Sequence, residues 1–110
     1  MSITDRRRSL RHSLAFDVVL RMGVNGPDIH GKSIDLSRSG VFVMTRDRVP
    51  EGRRVDITIM GPVVEAPIVT SGIVVHFVPG VGMGIRFSHQ HPRTRELIGV
   101  LIERLKKQGK

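Results

Sequence analysis

The sequence predicts a mainly β fold: a small antiparallel β-barrel of six or seven strands with a C-terminal α-helix. Three observations support this class. Short segments alternate apolar and polar side chains, as half-buried strands do. Gly, Pro, Asn and Asp cluster between these segments and favour turns. Only the last segment, after residue 91, changes to the apolar spacing of a helix.

The first predicted strand spans residues 14–22 and has distinct inner and outer faces. Phe16, Val18 and Leu20 fall on one face, which is expected to enter the core. Residues 23–31 follow and contain Asn-Gly-Pro-Asp, which predicts a turn. Further strands are predicted at residues 32–36, 41–44, 55–60, 68–77 and 81–87.

The last predicted element is an amphipathic helix that caps the barrel. Pro92 suits its first turn, because that position needs no backbone N–H. Glu103 and Lys107 are four residues apart and are expected to pair on the exposed side. The apolar stripe expected to face the core consists of Leu97, Ile98, Leu101, Ile102 and Leu105.

The net charge of +8 resides at the two ends of the chain. Residues 1–11 carry four arginines against one aspartate, and residues 86–110 carry seven basic side chains against two glutamates. Residues 12–85 carry seven side chains of each sign. Basic ends suit an anionic partner, whether a nucleotide, a nucleic acid or a membrane surface. The aromatic content of 4% disfavours nucleic acid, because aromatic side chains usually stack on its single strands.

A length of 110 residues accommodates one domain. We expect a flexible arginine-rich arm at residues 1–13 and a barrel with its helix at residues 14–110. The chain has no cysteine, which excludes disulfides and thiolate metal sites. The sequence contains no apolar run near the ~20 residues of a membrane span, and its first residues do not resemble a secretory signal. The expectation is a cytoplasmic protein without a membrane span.

Two polar clusters stand out in the sequence. Residues 6–11 read Arg-Arg-Arg-Ser-Leu-Arg and place Arg7 and Arg11 four positions apart, just before the first strand. Residues 35–40 read Asp-Leu-Ser-Arg-Ser-Gly and place a carboxylate, a hydroxyl and a glycine in one strand-to-turn segment. Asp, Ser and Gly are also common in ordinary turns. The presence of both clusters is therefore what indicates a binding site.

The two clusters resemble the signature of the PilZ family, Arg-x-x-x-Arg followed by Asp/Asn-x-Ser-x-x-Gly. The resemblance continues in the glycine-rich strand at residues 82–87 and in the closing helix, so it covers nearly the whole chain. It implies a bacterial receptor domain for the second messenger cyclic di-GMP and not an enzyme. The ligand-binding residues that the resemblance implies are Arg7, Arg11, Asp35, Ser37 and Gly40, with Arg6 and Arg8 as helpers.

The chemistry of these side chains agrees with that ligand. A guanidinium can donate two parallel hydrogen bonds to a phosphate or to guanine O6 and N7. It can also stack on a purine ring. Asp35 can accept from guanine N1–H and the amino group, and Ser37 can donate or accept at the same edge. Gly40 either adopts a backbone conformation that other residues rarely adopt, such as a positive φ, or lets the ligand approach the main chain.

The late strand adds one further candidate. Arg86 shares its strand face with Gly82 and Gly84, so a flat ligand could lie there with the guanidinium beside it. Close packing of the helix on the two glycines is the alternative explanation for them. His76 stands where some family members carry an aromatic residue, which disfavours aromatic stacking at that wall.

The sequence predicts neither catalysis nor a bound metal or cofactor. Ser37 and Ser39 lack the Gly-x-Ser-x-Gly setting of a hydrolase nucleophile, and no Walker motif is present. His89 and His91 resemble a metal-binding pair, but the sequence places no third ligand beside them.

The functional hypothesis is a cyclic di-GMP effector whose arginine arm folds across the barrel mouth when the ligand binds. A downstream protein, which the sequence does not identify, then reads the ordered surface. The first alternative is an adaptor of the same fold that acts in motility or pilus assembly without the nucleotide. The second is a nucleic-acid-binding barrel, although no nucleic acid is expected as partner.

Overall fold

The computed structural model describes residues 15–62 and 64–108, which form six β-strands followed by one α-helix. The prediction of a small β-barrel with a C-terminal helix is confirmed, with six strands in this part of the chain. The elements are β1 (Phe16–Arg21), β2 (Asp28–Leu36), β3 (Gly40–Met44), β4 (Arg54–Met60), β5 (Ile68–Val78), β6 (Gly82–Phe87) and α1 (Pro92–Gln108).

The six strands form a closed antiparallel barrel in the order β1-β2-β3-β6-β5-β4. Pairing of β1 with β4, for example Val18 opposite Ile59, closes it. Strands β3 and β4 are not neighbours, so residues 45–53 connect them across one end of the barrel. Val49 on this connection is fully buried and belongs to the core. The opposite end carries the 37–40 turn and the start of the helix.

Alternation of side chains produces the core, as the sequence predicts. Phe16, Val18 and Leu20 of β1 are buried, and the same holds for the inner residues of β4. Burying a Val, Leu, Ile or Phe side chain stabilises the fold by about 1.5–3 kcal/mol relative to leaving it exposed. The inner residues of β4 are Val55, Ile57 and Ile59.

Helix α1 packs on the barrel through the predicted stripe. Ile98 and Leu101 are buried, and Leu97, Ile102 and Leu105 pack partly buried against the core. The predicted pair of Glu103 with Lys107 is not found among the described residues. Glu103 instead lies 4.0 Å from Lys106 Nζ, one position earlier on the helix surface. Within the described chain, no helix is long and apolar enough to cross a membrane.

The start of β2 differs from the prediction. The strand begins at Asp28, inside the segment 23–31 that was predicted to be a turn. Its pairing with β1 continues to Arg21 opposite Asp28, and the Arg21 Nε donates to Asp28 Oδ1 at 2.8 Å. Pairing with β1 therefore overrides the low strand propensity of Asp and Gly in this segment.

Candidate functional site

A cleft of about 360 Å³ lies on the outside of the barrel and is lined by residues from β2, β3, β5 and β6. It brings together Asp35, Ser37, Gly40 and Arg86, which are four of the predicted site residues. The other four lie outside the described residues. They are Arg6, Arg7, Arg8 and Arg11.

The turn between β2 and β3 forms one wall of the cleft, and Ser37 holds it closed. The Ser37 N–H donates to the Gly40 carbonyl oxygen at 2.9 Å. Its Oγ accepts the N–H of Gly40 at 3.2 Å and that of Ser39 at 3.3 Å. The two hydroxyl oxygens of Ser37 and Ser39 lie 3.2 Å apart, so the wall presents a pair of hydroxyls. Ser37 thus builds the turn besides lining the cleft.

Asp35 reaches the cleft because β2 contains a bulge. The register with β3 shifts between Lys32 and Asp35. Buried Ser33 stabilises this shift: its Oγ accepts the Asp35 N–H at 3.0 Å and donates to the Asp35 carbonyl oxygen at 3.2 Å. The Asp35 carboxylate is exposed and makes no ion pair with any described residue. It therefore offers two free acceptor oxygens to the cleft.

Gly40 is required by the neighbouring strand. It pairs with Arg86 on β6, and a β-carbon at Gly40 would overlap the carbonyl oxygen of Ile85. Its φ is not positive, so the first predicted reason for a glycine here, a special backbone angle, is wrong. The close approach to the main chain is real, but it is made by β6.

Arg86 lies on the outer face of β6, beside the turn. It is exposed and pairs in register with Gly40 on one side and Ile73 on the other. Among the described residues no carboxylate forms an ion pair with it. The cleft thus combines one carboxylate, a pair of hydroxyls and one guanidinium, a set that can both accept and donate hydrogen bonds to a polar ring and bind an anion.

Phe42 and Val75 also line the cleft, and neither is among the residues predicted from the sequence. Phe42 is the outward residue of β3, because Val41 and Val43 point into the core. This alternation was a usable signal. Val75 lines the cleft next to an irregularity in the β5–β6 pairing between Val74 and His76, which the sequence does not reveal. His76, expected at this wall, pairs with Gly84, but the cleft lining on β5 is Val75.

The start of β1 lies near the cleft. Phe16 pairs with Ser33 on β2, two residues before Asp35. Residue 15 therefore enters the barrel at the end that carries the 37–40 turn. No described group of three or more His, Cys, Asp or Glu side chains could hold a metal ion. His91 has a local role instead, since its Nδ1 accepts the Arg93 N–H at 3.0 Å in the first turn of α1.

The structure is thus a small β-barrel domain with an exposed polar cleft on its outer surface. A family model for the PilZ domain matches residues 5–104, and the chain therefore belongs to the PilZ family. PilZ domains are a cyclic di-GMP-binding family of receptor domains. No curated protein sequence matches the chain.

Several solved structures share this fold, and two PilZ domains are among them. One is the PilZ domain of YcgR from Escherichia coli, a structure with c-di-GMP. It superimposes with a TM-score of 0.68 at 15% sequence identity, and the match covers 84% of this chain and 82% of the YcgR chain. The PilZ domain of CeSA from a cellulose-synthesizing bacterium gives a TM-score of 0.65 at 14% identity, with 84% and 93% covered. At these identities the likeness establishes the fold.

Proposed function

We propose that this chain is a non-catalytic cytoplasmic receptor for cyclic di-GMP. The observation that carries the proposal is the convergence of Asp35, Ser37 and Arg86 on one cleft at the barrel end where β1 begins. Asp35 accepts from the N1–H and amino group of one guanine. Arg86 donates two hydrogen bonds to a phosphate or to guanine O6 and N7. Membership of a cyclic di-GMP-binding family supports this assignment.

The arginine arm supplies the remaining contacts in this proposal. Arg11 is five residues before Phe16, a chain length that spans at most about 17 Å when extended. Asp35 is two residues along β2 from the partner of Phe16, about 7 Å of strand. Arg11 is thus within reach of the cleft, and Arg7 can close over the far side of the ligand.

The energy balance indicates that several groups contribute. Four charge-assisted hydrogen bonds at about 1.5–3 kcal/mol each supply roughly 6–12 kcal/mol. Ordering the five residues 7–11 costs about 1–2 kcal/mol each, roughly 5–10 in total. A micromolar affinity corresponds to about −8 kcal/mol. The preformed turn and the Phe42 ring therefore add what the arm alone does not supply.

The signal in this proposal is the ordered arm itself. Ligand and closed arm belong to the same state, so a downstream protein that contacts the closed arm senses the nucleotide. In this proposal, closure pairs the positive charges of the arm with the phosphates of the ligand and leaves a partly neutralised surface.

Calorimetric titration with cyclic di-GMP, with GTP and GMP as controls, tests the assignment. We expect micromolar binding of cyclic di-GMP alone, and a loss of about tenfold or more for Asp35→Ala, Arg7→Ala and Arg11→Ala. The matched controls are Asp47→Ala and Arg46→Ala, exposed side chains on the connection at the opposite barrel end. They should bind as the unmodified chain does.

Unchanged affinity in all three site variants would refute the assignment. A chain that binds no cyclic di-GMP but retains a protein partner would favour the adaptor alternative. The nucleic-acid alternative would be favoured if the chain binds generic DNA or RNA and the logarithm of its affinity falls linearly with the logarithm of the salt concentration.

A further inference from the structure

The glycines of the barrel strands differ in what surrounds them. A β-carbon at Gly40 or Gly82 would overlap a backbone carbonyl oxygen of the neighbouring strand, and one at Gly72 would lie 2.6 Å from the Arg86 carbonyl oxygen. Close strand packing therefore requires these glycines. Gly84 is different, because a β-carbon there would meet nothing nearer than the His76 Cβ at 3.7 Å.

Neither packing nor backbone geometry explains Gly84. Its φ is not positive, and the distances around a β-carbon are those of ordinary contact. Helix packing, predicted as a reason for Gly82 and Gly84, is also not the explanation, since the nearest atoms belong to β3 and β5. A glycine inside a strand weakens it, because it loses more backbone freedom and packs no side chain. An open position that destabilises the strand calls for another reason.

Gly84 forms part of the cleft lining. It pairs with Phe42 of β3, which in turn pairs with Asp35 of β2. The Phe42 ring lies beside the opening, since its Cδ1 is 3.9 Å from the position of a Gly84 β-carbon. Arg86 shares the outer face of β6, two residues or about 7 Å along the strand. Because Gly84 has no side chain, it leaves an open space between the Phe42 ring and the Arg86 guanidinium.

We propose that Gly84 keeps this part of the cleft open so that the flat face of a guanine base lies over β6 beside Phe42. The proposal rests on the function proposed above and assigns one base of the dinucleotide to one strand. A ligand held only through its phosphates would not need the opening. A side chain at position 84 would occupy the space of the base.

Two substitutions separate ligand binding from packing. Gly84→Ala should raise the melting temperature of the free protein by about 2–8 °C, because alanine fits and restricts the unfolded chain. Gly84→Val should retain the fold and weaken cyclic di-GMP binding by about tenfold or more in calorimetry. Ser71→Val is the matched control, since it adds bulk to the barrel surface on β5, opposite Asp56 and outside the cleft. It should leave the affinity unchanged.

The outcomes distinguish this proposal from the function on which it rests. If the unmodified chain binds and both Gly84 variants bind within about twofold of it, Gly84 is not a base site, while the receptor function stands. If both variants melt below the unmodified chain, packing requires the glycine and the proposal fails. If the unmodified chain binds no cyclic di-GMP, both proposals fail.

Discussion

At the residue scale, Ser33 positions the carboxylate that we assign to the ligand. It is buried, and its hydroxyl holds both backbone groups of Asp35 at the bulge in β2. A fully buried side chain thus helps determine where the Asp35 carboxylate lies.

Ser33→Ala should lower the free energy of unfolding by about 1–3 kcal/mol, because the Asp35 N–H loses its acceptor. We also expect weaker cyclic di-GMP binding, since the bulge is no longer held. Urea unfolding and calorimetry measure the two effects. Thr45→Ala removes a similar local hydrogen bond, Asp47 N–H to Thr45 Oγ1, at the other barrel end and should leave affinity unchanged. If the Ser33→Ala and Thr45→Ala variants bind cyclic di-GMP with equal affinity, Ser33 does not position Asp35 for the ligand.

A second residue-scale effect concerns Asp28 at the β1–β2 hairpin. The hydrogen bond from Arg21 holds the pKa of this carboxyl below its ordinary value of 3.8. A carboxyl whose pKa is lower in the folded state stabilises the fold above its unfolded pKa. That contribution disappears as the pH falls through the folded value.

Arg21→Gln should raise the Asp28 pKa toward 3.8. A carbon-detected NMR titration of the side-chain carboxyl measures this directly. The loss of stability on acidification below about pH 4 should become shallower in the variant. An Asp28 pKa that is the same in both proteins would show that the ion pair does not persist in solution.

At the element scale, the 37–40 turn contacts helix α1 through Arg38. A β-carbon at Gly99 would stand 3.1 Å from Arg38 Nη1, so the guanidinium lies close to the helix at this glycine. The same turn presents Ser37 and Ser39 to the cleft. Turn and helix are therefore in direct contact at the cleft end of the barrel.

Gly99→Ala alone should stabilise the protein by less than the ~1 kcal/mol expected for this change in a helix, because the new methyl group crowds the guanidinium. In an Arg38→Ala background the same substitution should give the full gain. A double-mutant cycle from urea unfolding measures this coupling. Additive effects would mean that the contact is absent in solution.

At the scale of the whole molecule, alternation and turn residues sufficed to predict the barrel, and the helical spacing of apolar residues after residue 91 predicted its capping helix. The residues of the 35–40 motif were predicted from the family resemblance, and the structure brings Asp35, Ser37, Gly40 and Arg86 to one cleft. The shifts at Ser33 and Val75, and the early start of β2, were not predictable. They depend on the register of pairing with the next strand along the chain, and local propensity does not encode that register.

Arm closure makes a prediction for the whole domain. In the presence of cyclic di-GMP, trypsin should cleave more slowly after the arginines of residues 6–11, because these side chains are engaged by the ligand. Mass spectrometry of timed digests identifies the cleavage sites. GTP should give no protection, and Asp35→Ala should abolish the protection by cyclic di-GMP. Unchanged cleavage with saturating ligand would contradict arm closure.

The closure of the barrel has a consequence for how a partner can recognise it. Each of the six described strands has a hydrogen-bonded neighbour on both sides, so they present no row of unsatisfied backbone groups. A binding protein cannot attach to them by donating a strand of its own, the mode by which many peptide-recognition domains work. A partner must therefore recognise side chains and loops, and these are the parts of the molecule that line the proposed nucleotide site.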